Sequence, residues 1–190
     1  MLIALTGGIG SGKSTCLELF KSFNCKVLDT DQMVHDLYND NTELSQTFSE
    51  RWGTKVLNTD GSINRPEIAQ IVFNKKEELQ WLNQEIHPRI YQKLQSLPKN
   101  ILTVVAIPLL YENDRQELFD KVISVWTSST LQEERLVARN WDQEQIHGRL
   151  NAQMHQDEKL HKADYGIINT LSIESLQKQI QIILNNLQNT

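Results

Sequence analysis

The sequence reads Gly7-Gly8-Ile9-Gly10-Ser11-Gly12-Lys13-Ser14 near its N-terminus, and this stretch decides the fold. It fits the pattern G-x-x-x-x-G-K-[ST], in which glycines let backbone N–H groups approach an anion without obstruction by side chains. A continuous apolar run at residues 2–5 precedes it and predicts a buried strand. Residues 14–23 follow with apolar side chains at helical spacing. A strand, a glycine-rich turn and a helix in this order predict a loop that binds nucleotide phosphates.

The residue types of this loop also predict which groups it binds. Lys13 should reach the β- and γ-phosphates and stabilise charge during transfer, so it is a catalytic candidate as well. The Ser14 hydroxyl should ligate Mg²⁺, and the N-terminal end of the helix adds positive potential. We therefore expect ATP and Mg²⁺ as cofactors. The predicted nucleotide-binding residues of the loop are Gly8, Gly10, Ser11, Gly12, Lys13, Ser14 and Thr15.

Four more segments outside the loop have the pattern of strands. Residues 26–28, 122–126 and 165–168 are short and largely apolar, and residues 101–107 are apolar on both faces, as in the middle of a parallel sheet. Helical patterns separate these segments, so the alternation predicts an α/β fold. We expect a five-stranded parallel sheet with helices on both faces, of the P-loop nucleoside-monophosphate-kinase kind. The apolar spacing of residues 172–187 predicts a helix that closes the core.

The long segment between the second and third strands has helical patterns. Asn64, Pro66 and Glu67 mark a helix start in it, whereas Pro88 should kink or restart a later helix. A polar stretch after the fourth strand predicts a mobile lid. The predicted division is a nucleotide-binding core of residues 1–31, 99–138 and 163–190, a helical acceptor-binding insertion of residues 32–98, and a lid of residues 139–162.

Two carboxylates, Asp29 and Asp31, follow the second strand. In an open parallel sheet this is the rim where ligands bind. Asp31 is placed to accept the proton of an acceptor hydroxyl, or to hold that hydroxyl in line with the γ-phosphate. Asp29 is a second candidate for Mg²⁺, through water. The alternative is that one or both carboxylates only cap the helix that follows.

Three arginines follow the fourth strand and could neutralise the charge of a transferring phosphate. Arg135, Arg139 and Arg149 are suited to this role because arginine stays charged and binds phosphate oxygens bidentately. The alternative for each is a solvated helix residue. Asn169 ends the fifth strand and is a candidate for contact with adenine, or simply the entry to a helix starting near Ser172.

The overall composition of the chain indicates which binding partners and which cellular compartment to expect. The chain has 190 residues, 39% hydrophobic and 23% charged, with a net charge of −5, so a nucleic-acid partner is not expected. Two cysteines without paired spacing are typical of a reducing cytosol. No apolar run reaches the roughly 20 residues of a membrane span, and no signal peptide is evident. We expect a cytoplasmic protein, with no membrane partner, that is a monomer or weak homo-oligomer.

Several segments of the chain, taken in order, match one known family. They are Thr6-Gly7-Gly8-Ile9-Gly10-Ser11-Gly12-Lys13-Ser14-Thr15, Asp29-Thr30-Asp31, Asp60-Gly61-Ser62-Ile63-Asn64-Arg65, His87-Pro88, Pro108-Leu109-Leu110-Tyr111-Glu112, Gln132-Glu133-Glu134-Arg135-Leu136 with Arg139 and Arg149, and Ala163-Asp164 leading to Asn169. The ordered set resembles the dephospho-CoA kinase family over nearly the whole chain. Asn24 departs from it, since the family commonly has glycine there.

The resemblance implies roles for individual residues. Asp31 corresponds to the catalytic aspartate and also contacts the acceptor. The other residues implied on the acceptor side are Arg65, His87, Pro108 and Leu109. Arg139 and Arg149 correspond to lid arginines that bind ATP, with Arg139 also catalytic, and Asn169 lies on the adenine side.

The reaction implied is the phosphorylation of dephospho-CoA at the 3′-hydroxyl of its ribose, which gives coenzyme A and ADP. The substrate partner would therefore be a small molecule. Two alternatives stay open from the residues: a P-loop kinase of the shikimate or gluconate type, and a nucleotide-switched assembly factor.

Overall fold

The computed structural model describes residues 1–40, 42–73 and 75–188. The chain divides into two compact units, residues 1–29 with 98–190 and residues 30–97. Asp31 therefore belongs to the second unit. Within the described ranges, no helix combines the length and the apolar character that crossing a bilayer requires.

The elements follow each other in the order expected of an α/β chain. They are β1 (Leu2–Gly7), α1 (Lys13–Ser22), β2 (Lys26–Asp29), α2 (Thr30–Asp40), α3 (Thr42–Trp52), α4 (Arg65–Phe73), α5 (Lys76–Gln95), β3 (Thr103–Ala106), β4 (Lys121–Trp126), α6 (Ser129–Val137), α7 (Gln143–Asn151), α8 (Gln156–Lys162), β5 (Tyr165–Ile168) and α9 (Ile173–Gln188). Short 3₁₀ turns lie at Thr54–Val56 and Gln116–Leu118.

The first unit is built on a five-stranded sheet with the order β2-β3-β1-β4-β5. Every neighbouring pair is parallel, with Leu5 beside Ala106 on one side and Ile123 on the other. The chain runs outward to β2, returns through β3 and then crosses β1 to reach β4. The direction of winding thus reverses beside β1, where open parallel sheets bind ligands. The predicted five-stranded parallel α/β fold is confirmed.

Both faces of the central strands are buried. Alternate residues such as Ile3, Leu5 and Ile123 form one core with apolar side chains of α1 and α9. The residues between them, Ala4 and Ser124 among them, are also buried, and α8 packs on β1 and β4. This double burial explains why the strands are nearly continuous apolar runs. The predicted closing helix is α9.

The turn between α1 and β2 explains the departure at residue 24. Asn24 has a φ of 61°, in the left-handed region that disfavours most side chains. Its N–H donates to the Lys21 carbonyl at 3.0 Å, and the Cys25 N–H donates to Phe20 at 3.1 Å, so the turn closes the helix. Asparagine tolerates this conformation better than most residues, and so it can stand where glycine is common.

The strand β3 is shorter than the sequence pattern suggested. Ile101 lies in a turn closed by its own N–H donating to Pro98, and 41% of its surface is exposed. At the other end Ile107 still donates its N–H to Leu5, beyond the last strand residue Ala106. An apolar run therefore marked the strand but not its boundaries, which depend on backbone pairing.

The second unit has an aromatic core of its own. The Phe48 and Trp52 ring centroids are 5.2 Å apart, and those of Trp52 and Trp81 are 4.9 Å apart in an edge-on arrangement. The Trp52 indole donates to Glu78 at 2.7 Å, which satisfies the polar end of a partly buried ring. Arg51 binds the same carboxylate.

The helix start predicted at Asn64 is present. For Pro88 the sequence predicted a kink or a restart of the helix, and the restart is wrong. The Asn64 side chain accepts from the Glu67 N–H at 3.3 Å, as a capping residue does. The helix α5 continues through Pro88 for 20 residues. A helical proline costs about 3 kcal/mol, whereas each of the four buried side chains Leu82, Ile86, Ile90 and Leu94 contributes about 1.5–3 kcal/mol. The free energy gained by burying these four side chains therefore exceeds the cost of the proline.

Candidate active site

Three glycines give the phosphate loop between β1 and α1 its shape. Gly7, Gly10 and Gly12 have φ values of 147°, 75° and 93°. A Cβ at Gly12 would collide with the Asn169 amide nitrogen, and one at Gly7 would collide with the Val125 carbonyl oxygen. The backbone conformation favours glycine at all three positions, and at Gly7 and Gly12 the close approach of neighbouring atoms also requires it.

Side chains bind the carbonyl oxygens of the loop, from residue 7 to residue 11. Lys13 donates to Gly7 at 2.8 Å and to Gly8 at 3.0 Å. The remaining donors come from distant parts of the chain: Gln132 to Ile9 at 2.6 Å, Arg135 to Gly10 and Ser11 at 3.4 Å, and Asn169 to Ser11 at 2.7 Å. Carbonyl oxygens would repel an anion. With these oxygens engaged by side chains, the N–H groups are the part of the loop suited to bind phosphate. Two of them have other partners in this structure: Ile9 N–H donates to Gln153 Oε1 at 3.1 Å, and Ser11 N–H donates to the Gly8 carbonyl at 3.2 Å.

The start of α1 is also suited to an anion. Gly12 is the residue before the helix, and no side chain caps the first turn. That turn contains no acidic residue, and the positive end of the helix dipole therefore favours an anion here. Ser14 and Thr15 are exposed at this end. The described geometry is thus that of a site for the phosphates of a nucleotide.

Asn169 has a structural role that the sequence did not indicate. It is buried at the end of β5, where its N–H donates to Trp126 at 2.7 Å and its carbonyl accepts from Thr127 at 2.9 Å. Its side-chain amide donates to Ser11 of the loop. Ser172, not Asn169, caps α9, since the Ser172 hydroxyl accepts from the Ser175 N–H at 3.4 Å. Contact with adenine stays a prediction.

Arg135 and Gln132 are further residues of the site, both on α6. Besides its two loop contacts, Arg135 donates to the Asn169 carbonyl at 3.1 Å and to the Thr127 hydroxyl at 3.4 Å. Its guanidinium thus binds the backbone of the loop, a role different from the neutralisation of phosphate charge that the sequence suggested. The two side chains are three residues apart and therefore lie on the same face of α6. This spacing was the only feature of the sequence that could have indicated that they act together.

Pro108 and Leu109, predicted on the acceptor side, lie just after β3. The Pro108 carbonyl accepts from the Thr6 hydroxyl at 3.4 Å, so the turn lies at the end of β1 beside the phosphate loop. Leu109 exposes 40% of its surface, whereas Leu110 is fully buried. Asp29, the other predicted Mg²⁺ residue, ends β2 at the same edge of the sheet.

The two predicted lid arginines are exposed. Arg139 follows α6, and Arg149 lies on α7 with its guanidinium 4.4 Å from the centre of the Trp141 ring. Within the described part of the chain, neither side chain makes a hydrogen bond to the phosphate loop. The helix α8, by contrast, belongs to the same predicted segment but is packed on β1 and β4, with Gln156 and Lys159 buried. A lid role for residues 139–162 stays a prediction.

The second unit carries Asp31, Arg65 and His87. Asp31 is exposed in the first turn of α2. The Arg65 guanidinium, at the start of α4, contacts His35 Nδ1 and lies 5.7 Å from the centre of the Tyr38 ring. Burial raises the pKa of Tyr38, so the ring facing Arg65 is a neutral phenol.

His35 is a neighbour of this group that the sequence reasoning missed. It lies on α2 four residues after Asp31, and this spacing places both side chains on one face of the helix. His87 is half-buried on α5, and its ring centroid lies 5.7 Å from that of Tyr91. The roles of Asp31, Arg65 and His87 in binding the acceptor stay predictions.

The fold and the loop together define a class, the P-loop nucleotide-binding α/β proteins with the topology of small-molecule kinases. A shikimate kinase from Acinetobacter baumannii, solved with shikimate, shares this fold with a TM-score of 0.59 at 18% identity, over 97% of this chain and 93% of that one.

Closer similarities identify the family. The profile of the dephospho-CoA kinase family matches residues 1–175. A dephospho-CoA kinase of Streptococcus thermophilus is 36% identical over 100% of this chain and 99% of its own. The structure of dephospho-CoA kinase from Campylobacter jejuni has a TM-score of 0.74 at 31% identity, over 98% of this chain and 96% of that one. The chain belongs to the dephospho-CoA kinase family, a family of transferases with ATP as co-substrate.

Proposed function

We propose that this protein transfers the γ-phosphoryl group of ATP to the 3′-hydroxyl of the ribose of dephospho-CoA, giving coenzyme A and ADP. The observation that carries the proposal is the family match over residues 1–175, in a chain whose phosphate loop has its carbonyl oxygens engaged by side chains. A kinase for another small-molecule hydroxyl and a nucleotide-switched assembly factor are not favoured, because the full-length relatives are dephospho-CoA kinases.

The reaction needs binding and electrostatic positioning more than strong base catalysis, because phosphoryl transfer passes through a loose transition state. A bond forms between the ribose oxygen and the γ-phosphorus, and the bond from that phosphorus to the β–γ bridging oxygen breaks, so the electron pair leaves with ADP. In this proposal the loop N–H groups hold the β-phosphate. Lys13 stabilises the charge that develops on the bridging oxygen.

Asp31 and two arginines take the remaining roles. Asp31 accepts the proton of the 3′-hydroxyl, or holds that hydroxyl for in-line attack. Arg139 and Arg149 bind the phosphate oxygens of ATP from the lid, because guanidinium groups stay charged and bind such oxygens bidentately. Asn169 lies on the adenine side of the bound nucleotide.

Ser14 and Asp29 fit a magnesium ion. Mg²⁺ prefers oxygen ligands and in kinase sites takes only one or two from the protein, the rest being water and phosphate. An exposed hydroxyl at the start of α1 and a carboxylate at the end of β2, acting through water, are suitable donors. When bound, the ion neutralises charge on the β- and γ-phosphates.

The acceptor carries an adenosine with a nearby pyrophosphate, and this chemistry suits the residues proposed to bind it. Arg65 supplies a fixed positive charge for the phosphates, and His87 supplies a hydrogen-bonding ring. Pro108 and the exposed side chain of Leu109 supply apolar surface. A polyol acceptor such as gluconate would instead need several side-chain hydrogen-bond partners. We also propose a cytoplasmic location, which suits a chain with two free buried cysteines.

The acceptor is the first prediction to test. Purified protein with ATP and Mg²⁺ should phosphorylate dephospho-CoA with a kcat/KM at least a hundredfold above its values for shikimate, gluconate and nucleoside monophosphates. This ratio corresponds to about 2.7 kcal/mol of transition-state binding. Coupled measurement of ADP release, with the 3′-phosphate identified by mass spectrometry, checks it. Equal activity on a rival acceptor contradicts the proposal, and so does ATP hydrolysis that no acceptor stimulates.

The lid arginines are the second prediction. Replacing Arg139 or Arg149 by Ala should lower kcat/KM for ATP by about tenfold or more, because each removes a charge that binds phosphate oxygens. The melting temperature should hardly change, since both side chains are exposed. Lys178→Ala, an exposed change on α9, is the control and should leave the kinetics unchanged. Intact kinetics with a lower melting temperature in either arginine variant would mean a structural role.

A further inference from the structure

Lys159 has an environment that is unusual for a lysine. Among the residues that the structure describes, it is the one charged side chain with no exposed surface. Its ammonium donates to the Pro108 carbonyl at 2.7 Å and lies 2.7 Å from Glu112 Oε1. Burial holds the pKa of this ammonium below its ordinary value, and the hydrogen bond and charge of Glu112 oppose that shift. The surrounding sequence is polar and gave no sign of a core position.

Stability alone does not account for this buried pair. Removing two charges from water costs several kcal/mol per ion, and well-packed apolar residues often stabilise a protein as much or more. The second carboxylate oxygen of Glu112 is also buried and has no hydrogen-bond partner within the described residues. An arrangement with this cost is better explained by the geometry that it fixes.

The pair connects three parts of the first unit at the edge of the sheet that carries the phosphate loop. The Pro108 carbonyl accepts from both Lys159 and the Thr6 hydroxyl, and Thr6 precedes the loop directly. Glu112 accepts from the Met154 N–H at 2.8 Å, in the segment between α7 and α8. Lys159 lies on α8, which packs on β1 and β4. The turn of residues 108–112 is therefore bound at both of its ends by one buried ammonium.

We propose that Lys159 is a positioning residue for the acceptor: through Pro108 and Glu112 it holds the turn of residues 108–112 at a fixed place beside the phosphate loop. This inference rests on the proposed function, since it takes Pro108 and Leu109 as contacts of dephospho-CoA. Without the ammonium, Leu109 loses its fixed position while the loop keeps its own donors, Gln132, Arg135 and Asn169. Loss of the ammonium is therefore expected to weaken binding of the acceptor and to leave ATP binding unchanged.

The test combines Lys159→Met with Glu112→Gln, because the double change leaves no buried charge unpaired and Gln can still accept from Met154. The KM for dephospho-CoA should rise at least tenfold, while the KM for ATP stays within twofold. Hydrogen exchange should quicken at least tenfold at the amides of Asn113 and Asp114, which close the turn by donating to Leu109 and Tyr111. The control is Lys121→Met with Asp164→Asn, an ion pair at the opposite end of β4 and β5.

Each result decides the inference. Unchanged exchange at the turn amides overturns it, whatever the activity. Equal rises in the KM values for both substrates also overturn it, because a general loosening would act on both. If the wild-type protein does not phosphorylate dephospho-CoA, the proposed function fails, and amide exchange alone then decides whether Lys159 holds the turn.

Discussion

Replacing Lys13 by Ala is expected to lower kcat by about 10²-fold or more, the effect typical of losing one preorganised electrostatic stabiliser. The ammonium supplies positive charge where the phosphoryl group and the bridging oxygen become more negative during transfer. Its contacts with the carbonyl oxygens of Gly7 and Gly8 show that the side chain folds back over the loop. Steady-state kinetics with dephospho-CoA, at saturating ATP and Mg²⁺, measure the effect.

The control for this change lies on the same helix. Lys21→Ala removes an exposed lysine from the last turn of α1 and should leave kcat unchanged. Both variants should melt within a few degrees of the wild-type protein, since neither change opens a cavity. Near-normal turnover by the Lys13 variant would remove the phosphate loop from the mechanism.

The change Asp31→Asn keeps the size of the side chain and removes its charge. We expect kcat to fall by about 10²-fold, the lower end of the range for general base catalysis, because a loose transition state needs little proton abstraction early on. The KM for ATP should stay within twofold of the wild-type value. Measuring both constants separates a role at the acceptor hydroxyl from a role in binding the nucleotide.

Asp36→Asn is the matched control for Asp31, five residues further along α2. Its carboxylate accepts from Gln32 at 2.8 Å, a contact that an Asn side chain can keep, so its kinetics should be those of the wild-type protein. If Asp31→Asn weakens ATP binding and turnover equally, Asp31 would instead serve the metal or the fold, and the helix-capping alternative would gain support.

The sequence predicted the framework well because its signals are local. Short apolar runs marked all five strands, and glycines at fixed spacing marked the phosphate loop. Apolar residues at helical spacing predicted the closing helix α9. Each of these sequence patterns involves only residues within a few positions of one another. Boundaries were less accurate, as at Ile101, where the chain turns before the strand begins.

The residues that hold the loop could not be predicted in the same way. Gln132 and Arg135 meet carbonyl oxygens more than 120 residues away in sequence, and nothing local to α6 identifies those partners. Lys159 lies in a polar segment that predicts exposure, yet the packing of α8 on the sheet buries it. The prediction of a helix restart at Pro88 failed for the opposite reason. Proline is a strong local signal, but burial of the apolar side chains on both sides of it keeps α5 continuous.

The distance in sequence between the loop and its donors also affects synthesis on the ribosome. Asn169 binds Ser11 across 158 residues, so at about 5–20 residues per second the two groups emerge roughly 8–30 seconds apart. During this interval the nascent glycine-rich segment lacks the amide that fixes Ser11, and β1 lacks its neighbours β3 and β4 until those strands are made. Competence to bind nucleotide is therefore acquired late in translation, although the residues that contact phosphate are among the first to be made.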